Sequence, residues 1–153
     1  MEDKFYLTKE GLDKVQKEYK DLLSIKQEKM RTGAPVAFHS EELDTEFVAF
    51  KEDLELMEAR INDLEYILQN YEIIKSPVGQ EKETIQLGAK VSVDVDGQTD
   101  EFILVGTLEA NPIEGKISNE SPVGRALLGH KIGDIVQLNS PVIVNYKIKK
   151  ISY

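Results

Sequence analysis

The segment from Glu41 to Tyr71 reads EELDTEFVAFKEDLELMEARINDLEYILQNY, and it decides how this chain folds. Apolar residues recur in it at alternating intervals of four and three: Leu43, Phe47, Phe50, Leu54, Met57, Ile61, Leu64, Leu68 and Tyr71. Four heptads with this spacing are typical of a coiled-coil helix with one narrow apolar seam. Charged residues fill most other positions, so we expect this helix to pack on one partner helix rather than inside a globule.

The partner is predicted to be the helix that precedes this segment. Its shorter seam has intervals of three, four and three and consists of Leu12, Val15, Tyr19 and Leu22. Thr8 is a good N-cap, and Gly33 followed by Pro35 predicts an end near Arg31. Because residues 32–39 form only a short connection, the two helices should be antiparallel. About 30 residues at roughly 1.5 Å each give a rod roughly 45 Å long.

The pattern changes after the second helix. Pro77 and Gly79 stop the helix, and residues 77–83 are predicted to be a linker. Alternating apolar and polar residues then predict four strands, at 90–95, 101–105, 134–138 and 142–151. The first two are joined by the hairpin turn Asp96-Gly97.

A short helix is predicted between these strands, with Ser121 as its N-cap, Pro122 at its first position and Gly129 past its end. The predicted fold class is therefore α+β. Residues 1–76 form an antiparallel α-helical coiled-coil hairpin, and residues 84–153 form an antiparallel sheet with one short helix.

The composition excludes several kinds of site. The chain has no cysteine, which rules out a disulfide framework, a thiol nucleophile and a thiolate metal site, and two histidines are too few for a multi-histidine site. A net charge of −9 argues against non-specific binding of duplex DNA. No apolar run reaches the roughly 18 residues of a membrane span, and the N-terminus lacks a secretory pattern, so we expect a cytoplasmic protein.

The connection between the helices carries the first candidate binding residues. Val36, Phe38 and His39 lie at the far end of the predicted hairpin. Apolar side chains on a projecting loop are typical of contact with a partner. These three residues are therefore predicted to bind a partner through the tip of the hairpin.

Three carboxylates follow directly, at Glu41, Glu42 and Asp44. Glu41 and Asp44 are three residues apart, so on a helix they share a face and can together hold a divalent cation to which a partner adds oxygen ligands. The other interpretation needs no function. Ser40 is a natural N-cap, and acidic residues in a first helical turn favour the helix dipole.

The sequence resembles the GreA/GreB family of bacterial transcript cleavage factors over nearly its whole length. Near the start, Leu7-Thr8, Gly11-Leu12, Lys14, Glu18 and Leu22 follow the family's opening pattern, and Glu58, Arg60 and Ile61 match an E-x-R-I segment. The most specific match is GKISNESPVGRALLG at 115–129, followed by Gly133-Asp134-Ile135-Val136.

The resemblance implies a fold, a partner and a mechanism. The coiled coil enters the secondary channel of RNA polymerase, and an FKBP-like C-terminal domain without isomerase function docks outside that channel. Two acids at the tip help to position a second Mg²⁺ and a water, which promotes hydrolysis of backtracked nascent RNA at its 3′ end. The protein stimulates the polymerase and is not itself an enzyme, and we expect a monomer. The resemblance places docking on Ser118, Asn119, Ser121, Pro122 and Arg125.

The tip departs from the family pattern, which reads G-D-L-x-E-N-A-E-Y. This chain has HSEELDTEF at 39–47. In an ungapped alignment Ser40 and Leu43 occupy the positions of the two key acids. A shift of one residue restores an acidic pair, Glu41 and Asp44, with Glu42 as a substitute ligand.

Three functions follow from these observations. The first is a cleavage factor that uses Glu41, Asp44 and Mg²⁺. The second is an inhibitor that occupies the same channel without stimulating cleavage. The third is an isomerase or chaperone module, which the few aromatic residues of the C-terminal half, Phe102, Tyr146 and Tyr153, make the weakest.

Overall fold

The computed structural model describes residues 4–33, 41–139 and 142–153, except for the side chains of residues 41–44. Three helices and seven strands follow one another in the described residues: β1 Phe5–Leu7, α1 Lys9–Thr32, α2 Glu41–Gln69, β2 Tyr71–Ile73, β3 Lys90–Val95, β4 Gln98–Val105, β5 Lys116–Ser118, α3 Pro122–Leu127, β6 Ile135–Asn139 and β7 Ile143–Ser152. The α+β fold class predicted from the sequence is confirmed.

Helix α1 begins and ends where its terminal residues predict. The Gly11 N–H donates to the Thr8 hydroxyl at 3.0 Å, which is the expected N-cap bond. At the other end, Gly33 has a positive φ of 75° and its N–H donates to the Lys29 carbonyl at 3.1 Å. This backbone conformation closes a helix at low cost only with glycine.

Helices α1 and α2 run antiparallel, because contacts that move forward along one helix move backward along the other. Glu18 binds Arg60, whereas Lys29 lies close to Asp53. The predicted seam is present, with Ile61 and Leu64 buried in α2. It differs at its end, where Ile67 is also buried and Tyr71 lies in β2, about two fifths exposed.

The C-terminal sheet has the strand order β5-β4-β3-β7-β6. Its pairs are antiparallel except β4 with β5, which is parallel, so the sheet is mixed where the sequence predicted an antiparallel one. The segment between these strands explains the difference. It contains two short 3₁₀ turns, Thr107–Glu109 and Pro112–Glu114. The segment is long enough to bring the chain back along β4, so that β5 then runs in the same direction as β4.

One face of this sheet carries the hydrophobic core. The buried cluster comprises Ile85, Ala89, Val91, Val93, Leu104, Leu127, Val136 and Ile148. Leu127 belongs to α3, so this short helix covers the inner face of the sheet. The core therefore holds α3 and the segment before it in place.

Contacts between residues divide the chain into two units. One comprises Leu12–Asn70, and the other comprises Tyr71–Tyr153 together with the described residues up to Gly11. The sequence predicts a hairpin over residues 1–76, so the predicted and observed units differ at both ends. The reason is the parallel pair of β1 and β2, which sequence periodicity did not predict. In the described part of the chain, no helix is both long and apolar enough to cross a membrane.

Candidate functional site

The predicted tip residues fall largely outside the described residues. Val36, Phe38 and His39 belong to residues 34–40, which the structure does not describe. Helix α2 begins at Glu41, so Glu41 and Asp44 occupy its first turn. Two residues three positions apart on one helix lie on neighbouring points of the same face. The positions of their carboxylates, and that of Glu42, stay a prediction.

The chemistry of these residues suits a hard divalent cation. Carboxylate oxygens are the ligands that Mg²⁺ prefers, and it is bound through one or two of them while other oxygens complete the shell. Among the residues whose side chains are described, no group of three or more potential ligands could hold a metal ion. Glu41, Glu42 and Asp44 were not part of that set, because their side chains lie outside the described residues, and their role as ligands stays a prediction.

The predicted docking segment is held together by two serines. Ser118 is largely buried, and its hydroxyl accepts from the Glu120 N–H at 3.0 Å. The Ser121 hydroxyl donates to the Ser118 carbonyl at 2.7 Å and accepts from the Gly124 N–H at 3.1 Å. A Cβ on Gly124 would overlap that same carbonyl oxygen. These residues therefore fix the turn before α3 and the start of the helix.

The other three docking candidates differ in exposure and in how the fold uses them. Pro122 and Arg125 are exposed on α3. The Arg125 backbone N–H donates to the Ser121 carbonyl at 2.9 Å, but its side chain has no hydrogen bond or ion pair among the residues that the structure describes. Asn119 is half-buried, and its N–H donates to the Val105 carbonyl at 3.0 Å. The segment thus presents Pro122 and Arg125 on a frame built by Ser118 and Ser121.

Several residues of the motifs that match the family have structural partners that the sequence did not predict. Glu109 accepts from the Thr8 N–H at 2.8 Å and from the Thr8 hydroxyl at 2.6 Å. A Cβ on Gly11 would overlap the Glu109 carboxylate. Thr8 and Gly11 of the opening pattern therefore both lie against the carboxylate of Glu109, about 100 residues away in the sequence. No local signal in the sequence could have indicated this pairing.

The charged residues of the E-x-R-I segment join the two long helices. The Arg60 guanidinium donates to both Glu18 oxygens, at 2.7 and 3.0 Å. This hydrogen bonding lowers the pKa of Glu18 and raises the pKa of Arg60. The Tyr19 hydroxyl donates to Glu65 at 2.8 Å, and this bond to a carboxylate raises the pKa of Tyr19.

The aromatic residues considered for an isomerase pocket have structural roles. Phe102 and Tyr146 pack edge to face with ring centroids 6.5 Å apart, against the buried core. The Tyr153 hydroxyl donates to the Thr84 carbonyl at 2.5 Å and accepts from the Gln86 N–H at 2.9 Å. These contacts account for all three side chains, and none of them supports an isomerase site.

Comparison with known proteins adds two kinds of similarity. The sequence matches the family described as "Transcription elongation factor, N-terminal" over residues 5–73, and the family described as "Transcription elongation factor, GreA/GreB, C-term" over residues 80–153. The transcription elongation factor GreA of Lactococcus lactis subsp. cremoris is 39% identical over 146 residues, which cover 93% of each chain.

Two further proteins extend the comparison. GreA of Thermomicrobium roseum is 34% identical over 137 residues, which cover 88% of each chain. The crystal structure of GreA factor homolog 1 (Gfh1) of Thermus thermophilus is 27% identical, with 99% and 100% of the two chains covered and a TM-score of 0.43. On the sequence matches, this chain belongs to the GreA/GreB family of transcription elongation factors.

Proposed function

We propose that this chain binds bacterial RNA polymerase in the cytoplasm and promotes cleavage of backtracked nascent RNA at the polymerase active site. Family membership supports the partner. The observation that carries the mechanism is that α2 begins at Glu41, which puts Glu41 and Asp44 in one helical turn at the end of a long rod. The rod delivers carboxylates to a site that belongs to another protein.

The contribution of this chain is a pair of oxygen ligands on a rigid support. A Mg²⁺ ion held there by these carboxylates and by polymerase ligands would supply an activated water and would stabilise the charge that develops in the displacement. Glu41 and Asp44 would hold that ion, and Glu42 would be the substitute ligand. Two carboxylates leave most of the coordination shell to other groups, so we expect stable binding only in the complex.

Docking of the C-terminal unit is the second part of the proposal. Pro122 and Arg125 would contact the polymerase directly, because both are exposed on α3. Ser118, Ser121 and Asn119 would act indirectly, since their hydrogen bonds shape the segment that presents α3. Val36 and Phe38 would make apolar contacts at the tip, and His39 would contact the polymerase beside them.

One observation favours a second function, inhibition without cleavage. Helix α2 is continuous from Glu41 to Gln69, so no insertion shifts its seam relative to its first turn. That continuity supports the ungapped alignment, in which Ser40 and Leu43 stand at the acid positions of the family. In that case the rod occupies the channel, slows nucleotide addition and leaves the RNA intact.

The deciding experiment is transcript cleavage on a stalled, backtracked elongation complex of the cognate polymerase. We expect this protein to accelerate release of short 3′ RNA fragments in Mg²⁺. Glu41→Gln with Asp44→Asn should abolish the acceleration while polymerase binding persists. The matched control is Glu52→Gln with Glu55→Gln, which removes two exposed carboxylates further along α2. No acceleration by the unmodified protein, together with slowed nucleotide addition, would establish inhibition instead.

A further inference from the structure

The seam of α1 changes its chemistry halfway along the helix. Its intervals of three and four continue past Leu22 to Lys26 and Lys29. Both lysine side chains are only about a third exposed, at 33% and 30%. Lysines therefore occupy two successive positions that would hold apolar residues in an ordinary coiled coil. The apolar residues beside them, Ile25 and Met30, are instead about half exposed or more, at 47% and 61%.

The two lysines contact α2 by charge. The Lys26 ammonium lies 3.4 Å from a Glu58 carboxylate oxygen. The Lys29 ammonium lies 3.7 Å from an Asp53 oxygen and 5.8 Å from the centroid of the Phe50 ring. Ion pairs and one cation–π contact thus replace apolar packing along this part of the seam.

The hairpin therefore consists of two chemically different halves. We name residues 23–33 and 45–58 the tip half, and residues 12–22 and 59–70 the base half. In the base half, Ile61, Leu64 and Ile67 are buried. In the tip half, Phe50, Leu54 and Met57 are only partly buried and Phe47 is 43% exposed.

These differences imply different stabilities. Ion pairs between partly exposed side chains contribute little and are screened by salt, whereas burial of large apolar side chains contributes more and is not screened in this way. A polar residue at a seam position also specifies alignment at a cost in stability. The two lysines thus favour one alignment of α1 against α2 in the tip half but add little to the stability of that contact.

We propose that Lys26 and Lys29 make the tip half a separately opening segment whose closure is electrostatic and sensitive to salt. The base half stays closed while the tip half opens. This property belongs to the free protein and does not depend on the proposed polymerase function. The end of the hairpin that carries Glu41 and Asp44 can therefore open more easily than it could with an apolar seam.

Hydrogen–deuterium exchange of the full chain, followed by mass spectrometry, tests this directly. We expect backbone amides of the tip half to exchange faster than those of the base half in 20 mM NaCl. Raising NaCl to 500 mM should accelerate the tip half by roughly two- to fivefold, which is the range that exposed ion pairs allow. The base half is the internal control and should respond less, because buried Ile61, Leu64 and Ile67 hold it closed in addition to the Glu18–Arg60 ion pair.

A variant with an apolar seam distinguishes salt-sensitive opening of the tip half from ordinary fraying of helix ends. Lys26→Leu with Lys29→Leu should slow exchange of the tip half and abolish its dependence on salt, because packing then replaces the ion pairs. Lys14→Leu with Lys17→Leu changes two exposed lysines of α1 in the same way and should alter neither property. Exchange of the tip half that ignores salt, or that the Lys26→Leu/Lys29→Leu variant leaves unchanged, would overturn the proposal.

Discussion

Arg60 of α2 holds the Glu18 carboxylate of α1 through two hydrogen bonds, from Nε at 2.7 Å and from Nη2 at 3.0 Å. Both side chains are nearly half exposed, at 48% and 43%. A two-point bond between a planar guanidinium and a carboxylate has a defined geometry, so it aligns the helices even where it adds little stability. Glu18 and Arg60, which belong to the family motifs, therefore connect the two long helices.

The coupling free energy of the Glu18–Arg60 pair can be measured by a double-mutant cycle. Glu18→Ala, Arg60→Ala and the double variant should give a coupling free energy of about 0.5–1 kcal/mol, the upper range for exposed pairs, because the contact is bidentate. Urea unfolding followed by circular dichroism measures it. Glu28 and Arg31, which pair within α1, are the control, and their coupling should be smaller. Equal coupling for the two pairs would show that the contact between helices has no special strength.

The same pair predicts an acid dependence. Hydrogen bonding from Arg60 lowers the pKa of Glu18 below its ordinary value of 4.5. A lowered pKa in the folded state contributes stability that is present above pH 4.5 and is lost as the pH falls through the folded pKa. Glu18→Gln should therefore reduce the loss of stability below pH 4.5. Unfolding free energies of the two proteins between pH 3 and 6 test this, and parallel curves would contradict it.

Gly124 should tolerate no side chain. A Cβ would overlap the Ser118 carbonyl oxygen, which is backbone and cannot move without disturbing the hydrogen bonds of Ser121. We expect Gly124→Ala to destabilise the protein by about 1–3 kcal/mol, the usual range for a side chain forced into a packed site. Thermal unfolding measures this effect. Pro122→Ala, at an exposed position of the same helix, is the control and should cost less than about 1 kcal/mol.

Arg125 should contribute to polymerase binding and not to folding. Because its side chain is exposed and has no hydrogen bond or ion pair among the described residues, Arg125→Glu should leave the melting temperature unchanged. Affinity for polymerase should fall by roughly fivefold or more, as for an arginine that contributes over 1 kcal/mol to an interface. Lys147→Glu makes the same charge change at an exposed position of β7 and is the control. Unchanged affinity in Arg125→Glu would remove α3 from the docking surface.

The alignment of the tip can be decided by restoring the family's acids. If Glu41 and Asp44 are the ligands, Ser40→Asp with Leu43→Glu should not increase cleavage, because functional acids are already present and a seam residue is lost. If the ungapped alignment is right, the same double variant should create cleavage activity in an inhibitor. Fragment release per minute at saturating factor distinguishes the two outcomes.

Local features of the sequence determined much of this protein. The interval of three and four predicted both long helices, because side chains on one face of a helix recur with that period whatever surrounds them. Thr8 and Ser121 were identified as N-caps, since capping involves only neighbouring backbone groups. Family motifs indicated transcription elongation, and the acids at Glu41 and Asp44 are a prediction from spacing.

Only the tertiary structure decided which distant groups meet. The carboxylate of Glu109 at Thr8, the parallel pairing of β4 with β5 and the overlap that forbids a side chain at Gly124 all join segments whose separation carries no periodic signal. The partners of the lysines in the α1 seam could likewise not be predicted from the sequence. Their spacing could be read in the sequence, but their pairing with Glu58 and Asp53 depends on the register of two helices. That register is set by packing and charge across the interface, and not by either helix alone.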